Sequence, residues 1–161
     1  SVVRVETARE MLAAVAGALP ADIAVCAAAV ADWRPARLPS AKKIKKRAGE
    51  PPPAIELVEN PDILRTLSTQ VPRPGLVIGF AAETGDLEAK GRAKLAHKGC
   101  DWILANDVSP GTGVFGGDTN QVLLLTGAGP AEIWPELDKL ALARRLVARI
   151  AAHLMPGPAH D

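Results

Sequence analysis

Residues 76–105 read LVIGFAAETGDLEAKGRAKLAHKGCDWILA, and this stretch decides the fold. Leu76, Val77, Ile78, Gly79, Phe80, Ala81 and Ala82 form an unbroken apolar run of strand length, the pattern of a strand covered on both faces. A charged segment over 85–97 predicts a helix, and Trp102, Ile103, Leu104 and Ala105 predict a second buried strand. Strand, helix and strand in such close succession build a parallel pair, because a parallel crossover has to return along one face of the sheet.

The same alternation runs outward in both directions. Upstream, residues 2–5 predict a short strand, and Thr7 with Glu10 forms a capping-box pattern that opens a helix over 7–19, ended by Pro20. Residues 22–31, apolar from Ile23 onward and with β-branched members, predict another strand buried on both faces. Residues 55–58 predict a strand, after which Asn60 as cap, Pro61 at the first helical position and Asp62 in the first turn predict a helix to about residue 70. Downstream, a glycine-rich loop over 107–120 leads to a strand over 121–126 and a last helix over 135–154. The whole reads as one α/β domain with a mostly parallel sheet and helices on both faces.

Composition narrows the partners. Nineteen Lys plus Arg against eighteen Asp plus Glu leave a net charge of +1, no field to gather nucleic acid or an anionic membrane. No Tyr, two Phe and three Trp leave little for stacking single-stranded nucleic acid. The longest apolar run, residues 23–31, stops at Asp32, short of the roughly 20 residues that a membrane helix needs. Cys26 and Cys100 sit in apolar contexts with no secretory pattern ahead of them, so small core thiols in a reducing cytoplasm are expected.

In a parallel sheet, ligands bind beyond the carboxyl ends of the strands, which here are Asp32, the Phe80 to Glu83 tetrapeptide, and Asn106 with Asp107. Between Asp32 and Pro53, prolines bound the run Lys42, Lys43, Ile44, Lys45, Lys46, Arg47, whose crowded cations predict a loop that is either solvated or draws an anion with several oxygens. Asn60-Pro61-Asp62 opens a helix after a strand, so it serves either as a plain cap or as a phosphate-binding helix start. Lys94 and Lys98 share a helical stripe with Lys90, a like-charge spacing that needs compensation by neighbouring charges or a ligand, while Glu88 is spaced to pair with Arg92. Phe80 either stacks on a base or fills the core, and Asp32 either holds a ribose or metal-bound water or caps a turn. His97 has no catalytic partner at useful spacing and is assigned no role. The sequence carries no metal-ligand cluster and no nucleophile elbow; Gly111, Gly113 and Gly116 match dinucleotide spacing but precede a strand rather than open a helix.

Several blocks taken in order carry a resemblance: Ala27-Ala28-Ala29-Val30-Ala31-Asp32-Trp33-Arg34-Pro35, Lys43-Ile44-Lys45-Lys46, Glu56 to Leu64 with its Asn60-Pro61-Asp62-Ile63-Leu64 core, Gly79-Phe80-Ala81-Ala82-Glu83-Thr84, Lys94 with Lys98 and Asp101, Ala105 to Ser109, and Phe115 with Asp118 and Asn120. Together they resemble bacterial phosphopantothenoylcysteine synthetase, the ligase half of the bifunctional coenzyme A biosynthesis flavoprotein. The resemblance implies a Rossmann-like three-layer sandwich, with residues 1–154 the carboxyl-terminal part of a single ligase domain and 155–161 a frayed tail; the family's strand, glycine-rich turn and Asn-x-Ser-Ser-Gly-Lys-Met-like opening block is not in this sequence.

It implies a two-step reaction in which 4'-phosphopantothenate is activated by CTP, with Mg2+, to an acyl-cytidylate that the amine of L-cysteine then opens. CTP would be held by Cys26, Ala27, Ala28, Asp32, Lys43, Pro61, Asp62, Ile63, Leu64, Phe80, Lys94 and Lys98, with Lys43 the catalytic cation of a closing flap. Asn106, on the same edge, is the second catalytic candidate. The resemblance also implies a homodimer and a flavin-dependent decarboxylase partner, with no nucleic acid and no membrane involved. Two rival readings stand beside it: another nucleotide- or flavin-binding α/β protein, and a non-catalytic module whose basic loop binds RNA.

Overall fold

The computed structural model describes residues 1–36, 54–109, 119–127 and 129–155. Its centre is a five-stranded sheet in the order β1-β4-β5-β7-β8, where β1 is Ile23–Cys26, β4 Leu76–Glu83, β5 Trp102–Asp107, β7 Val122–Thr126 and β8 Glu132–Ile133. β1 pairs β4 and β4 pairs β5 in parallel, whereas β7 runs antiparallel to both β5 and β8. Four of the five strands therefore point one way, and the mostly parallel sheet is as expected. Two small ribbons complete the strands: β2 (Trp33–Pro35) with β3 (Leu57–Glu59), and β6 (Thr119–Asn120) with β9 (Leu137–Asp138).

Alternation along β4 and β5 divides the core in two, giving three layers. Val77, Ala81, Ile103 and Ala105 face one cluster, completed by Ile63 and Leu67 of α2 (Ile63–Thr69) and Leu95 of α3 (Leu87–Lys98), with α1 (Ala8–Gly17) packed on it through Met11, Leu12 and Val15. Leu76, Ile78, Trp102 and Leu104 face the other, closed by Leu142, Leu146 and Ile150 of α4 (Lys139–Leu154). The helix ends follow local chemistry. Thr7 and Glu10 make the expected reciprocal capping box on α1. The Asp86 side chain accepts from the Ala89 amide to start α3, and Gly99, at φ +68, ends it in the left-handed conformation that glycine adopts without a Cβ penalty. No helix among the described residues is long and apolar enough to cross a membrane.

Several boundaries differ from those read in the sequence. Residues 2–5 pair with nothing among the described residues, and Val2 and Val3 lie exposed. The strand expected over 22–31 is only Ile23–Cys26, and it sits at the sheet edge, with β4 on one side and Val25 47% exposed. Its alanine-rich continuation leaves the sheet because the Ala31 and Asp32 carbonyls accept hydrogen bonds from Asn60 instead, from its side chain at 2.8 Å and its backbone amide at 2.7 Å. The strand expected over 55–58 is shifted to Leu57–Glu59 by pairing with β2, which forms where a loop is expected. α4 begins at Lys139 rather than 135, since Leu137 and Asp138 are drawn into the β6–β9 ribbon and the Asp138 side chain caps the helix. The basic run over 42–47 and most of the glycine-rich loop lie outside the described residues.

Candidate functional site

The carboxyl ends of β1, β4 and β5 meet the first turn of α2 and one stripe of α3, and this junction holds much of the predicted set. Cys26 closes β1 in register with Gly79 of β4, half-buried against the first core cluster. Ala27, Ala28 and Asp32 follow it, all exposed. Pro61 and Asp62 are partly covered, Ile63 is buried, and Leu64 packs on the same cluster.

The cap of α2 differs from the sequence reading: Asp62, not Asn60, is the N-cap, its Oδ1 accepting from the Arg65 amide at 3.0 Å. Asn60 is released for another task, tying the segment after β1 to the β2–β3 ribbon. Its side chain donates to the Ala31 carbonyl and accepts from Arg34, whose guanidinium also reaches the Glu59 carbonyl. Arg34 thus holds the ribbon to the start of α2, a role that its place after Trp33 did not reveal.

Lys94 and Lys98 of the α3 stripe are both compensated by carboxylates from elsewhere in the fold. Lys98 Nζ lies 2.5 Å from Asp62 Oδ2, and Lys94 Nζ lies 2.7 Å from Glu83 Oε1 at the end of β4. Lys90 donates to the Thr84 carbonyl, and Arg92 pairs with Glu88 at 2.8 Å, as their spacing predicts. Burial by itself would raise the Asp62 carboxyl, but the hydrogen bonds from Lys98 and the Arg65 amide, with the charges of Lys98 and His97, hold it below its usual range. Burial first, and the Asp62 charge second, push the Cys26 thiol up. His97, left without a role, contacts Arg65 at 3.4 Å beside this cluster. Glu83 is the member that sequence reading missed as a partner; its place at a strand end beside Ala82 was the available signal.

Phe80 and Asn106 sit apart from the lysines. Phe80 packs against the second cluster, on the α4 side of the sheet. Asn106, 9% exposed, is in register with Ala82 and Val122. Next to it, Asp107 accepts from both the amide and the hydroxyl of Ser109, at 2.8 and 2.5 Å, which lowers its carboxyl. Phe80 and, by alternation along β5, Asn106 thus lie on the face of the sheet opposite the one that carries Asp62, Lys94 and Lys98. Lys43 lies outside the described residues.

A groove of about 540 Å³ opens beside the junction, between α1 and the β2–β3 ribbon, lined by Arg9, Leu12, Arg34, Asn60 and Pro61. A second groove continues it past Thr7, Ala29 and Ala31. Among the described residues no group of three or more His, Cys, Asp or Glu side chains is gathered to hold a metal, and Asp62 and Glu83 are already neutralised by lysines. The described residues thus make no cage for a resident divalent ion.

A family model described as the DNA/pantothenate metabolism flavoprotein C-terminal domain matches residues 1–154. The coenzyme A biosynthesis bifunctional protein CoaBC of Mycobacterium tuberculosis (strain H37Rv) is 40% identical over 163 residues, covering 95% of this chain and 38% of the relative. CoaBC of Vibrio parahaemolyticus is 39% identical over 142 residues, covering 88% of this chain and 33% of the relative. The chain thus spans well under half the length of these curated relatives. A crystal structure of the C-terminal domain of CoaBC aligns with a TM-score of 0.71 and 33% identity, covering 94% of this chain and 67% of that one. The DNA/pantothenate metabolism flavoprotein from Streptococcus pneumoniae, at 17% identity and a TM-score of 0.73, shares the fold.

Proposed function

The chain belongs to the DNA/pantothenate metabolism flavoprotein C-terminal domain family, and on that premise we propose that it forms the nucleotide-binding part of a ligase joining 4'-phosphopantothenate to L-cysteine. The observation that carries this reading is the convergence of three distant segments, Cys26, residues 61–64 and the Lys94–Lys98 stripe, at the carboxyl edge of the sheet.

A carboxylate does not condense with an amine in water unless its oxygen becomes a leaving group. In the proposed reaction the carboxylate of 4'-phosphopantothenate attacks the α-phosphorus of CTP, and the bond to pyrophosphate breaks. The amine of cysteine then attacks the acyl carbonyl, an amide forms, CMP leaves and the amine gives up a proton. Negative charge grows on the departing pyrophosphate, and cations fixed beforehand stabilise that change more than the ground state. Lys94 and Lys98 would supply this charge, with Lys43 as the third cation. Mg2+ enters with the triphosphate as part of the substrate, since it keeps most of its water and binds largely through phosphate oxygens. Ala27, Ala28 and Asp32 border the nucleotide from the β1 side, Phe80 meets the cytidine, and Asn106 offers a buried amide to the acyl group.

The relatives that match are bifunctional, which supports a decarboxylase partner in the same polypeptide. A homodimer is supported by the β2–β3 ribbon: Trp33, 59% exposed, and Leu57, 53% exposed, share one face of it. The family match weighs against the RNA-binding alternative. The test is pyrophosphate release by the chain joined to the segments that its longer relatives carry. Release that requires both CTP and 4'-phosphopantothenate supports the ligase; release with neither dependence, or none, overturns it.

A further inference from the structure

Lys94 and Lys98 of the α3 stripe are each closed off by a carboxylate from a different element, Lys94 by Glu83 of β4 and Lys98 by the Asp62 cap of α2. These pairs are more sheltered than ordinary surface ion pairs. The side chains of Lys94 and Glu83 are 33% and 20% exposed, those of Lys98 and Asp62 24% and 34%. An anion with several phosphate oxygens arriving at this stripe has to draw both ammonium groups away from carboxylates that already hold them, and then sits beside two negative charges. Those carboxylates take the lysines back when the anion leaves.

From this arrangement we infer that Glu83 and Asp62 are exchangeable counter-ions that set how tightly the site holds a polyphosphate and return the lysines when pyrophosphate departs. The inference rests on the proposed nucleotide site and deepens it, assigning Glu83 a role in release rather than in contact with the substrate. Glu83 suits this better than an acid on α3 itself would. It lies at the rim of a central strand, where its backbone is fixed by pairing with Asp107 and its carbonyl accepts from the Val108 amide at 2.9 Å, so only the side chain is free to move. Asp62 suits it for a second reason: one oxygen stays on the Arg65 amide while the other lets Lys98 go.

The test uses inorganic tripolyphosphate and pyrophosphate as probes, by titration calorimetry on the chain at low salt, so that no ligase activity is required. Glu83→Gln, which keeps the shape and removes the charge, is expected to tighten both anions about two- to fivefold, the range that a partly exposed pair is worth. Asp62→Asn, which retains the cap, is expected to do the same through Lys98. In the background of Lys94→Met, Glu83→Gln should change nothing, a dependence that a purely structural role would not produce. Unchanged or weaker binding in both single variants, with Lys94→Met still lowering affinity, overturns the counter-ion role and leaves the nucleotide site standing. Absence of tripolyphosphate binding by the unaltered chain, or affinity indifferent to both lysines, overturns the site and the inference together.

Discussion

Leu64 of α2 lies directly across Gly79 of β4: a Cβ built on that glycine would stand 2.5 Å from Leu64 Cδ2 and 2.9 Å from Ile103 Cδ1. The missing side chain lets α2 settle on the sheet, and the seat of α2 places Asp62 within reach of Lys98. Gly79→Ala is expected to cost about 1–3 kcal/mol by overpacking, because both obstructing methyl groups belong to the closely packed first cluster. Denaturant unfolding checks this. A variant as stable as the parent would mean that Leu64 repacks freely.

Asp101 closes the opposite end of the same strand pair. Its Oδ2 accepts from the Val77 amide at 2.7 Å and from Arg73 Nη2 at 2.8 Å. Val77 is fully buried, so Asp101→Ala strands an amide away from water and is expected to cost about 1–3 kcal/mol. Asp101→Asn keeps an acceptor and should recover part of that loss in the same unfolding experiment. Asp101 belongs to the block with Lys94 and Lys98 that carries the family resemblance, yet its partners give it a structural task.

Elements dictated by neighbours in the chain were legible from the residues. Thr7 with Glu10 marks the start of α1, the apolar runs mark β4 and β5, and Glu88 finds Arg92 one turn away. What escaped depends on partners distant in sequence. Trp33–Pro35 is a strand only because Leu57–Glu59 lies alongside it, and a proline within it hides the signal. The apolar run after residue 26 is not a strand, because Asn60 takes the carbonyls of Ala31 and Asp32. In the site, the lysine stripe was visible as a helical spacing, but its counter-ions come from β4 and from the α2 cap, and no spacing on α3 announces them. Even the cap was misplaced by two residues, since Asn and Asp are equally good N-caps and only the tertiary pull on Asn60 decides between them.

The exposed ribbon face gives a test of assembly. Burying Trp33 and Leu57 against a twofold copy would remove apolar area from water, so Trp33→Glu would place a charge in that interface. Light scattering should then show the proposed dimer shifting toward monomer by an order of magnitude or more in dissociation constant, and a parent chain that is monomeric at every concentration would remove the dimer. The unfolding midpoint of the monomer should stay nearly unchanged, because the ribbon lies apart from both core clusters.

Stability should fall on the acid side, and Asp62 and Glu132 give the sign. Both carboxyls are held below their usual values of 3.8 and 4.5: Asp62 against the opposing pull of burial, by Lys98 and the Arg65 amide, and Glu132 by its hydrogen bond to Arg149 first. The folded state therefore binds fewer protons than the unfolded chain in this range. Their contribution is present above the unfolded values and is lost as pH falls below about 4 and through the lowered folded values. Equilibrium unfolding between pH 6 and 3 should show that loss, and Asp62→Asn should make the curve shallower. A curve indifferent to Asp62→Asn would mean that Lys98 does not hold the carboxylate in solution.

The two cysteines separate by environment rather than by identity. Cys100 is 7% exposed, and burial pushes its thiol up to about 11, so at pH 8 only about one molecule in a thousand carries the reactive thiolate. Cys26 is raised too, by burial and by Asp62, but it is half-exposed at the end of an edge strand. Iodoacetamide at pH 8, followed by peptide mass spectrometry, should modify Cys26 first and Cys100 only as the chain unfolds. CTP at saturating concentration should slow the Cys26 reaction several-fold, since the nucleotide would lie over the end of β1. Modification of Cys26 at an unchanged rate with CTP bound would remove β1 from the site, whereas early modification of Cys100 would show that α2 and α3 open readily above the first cluster.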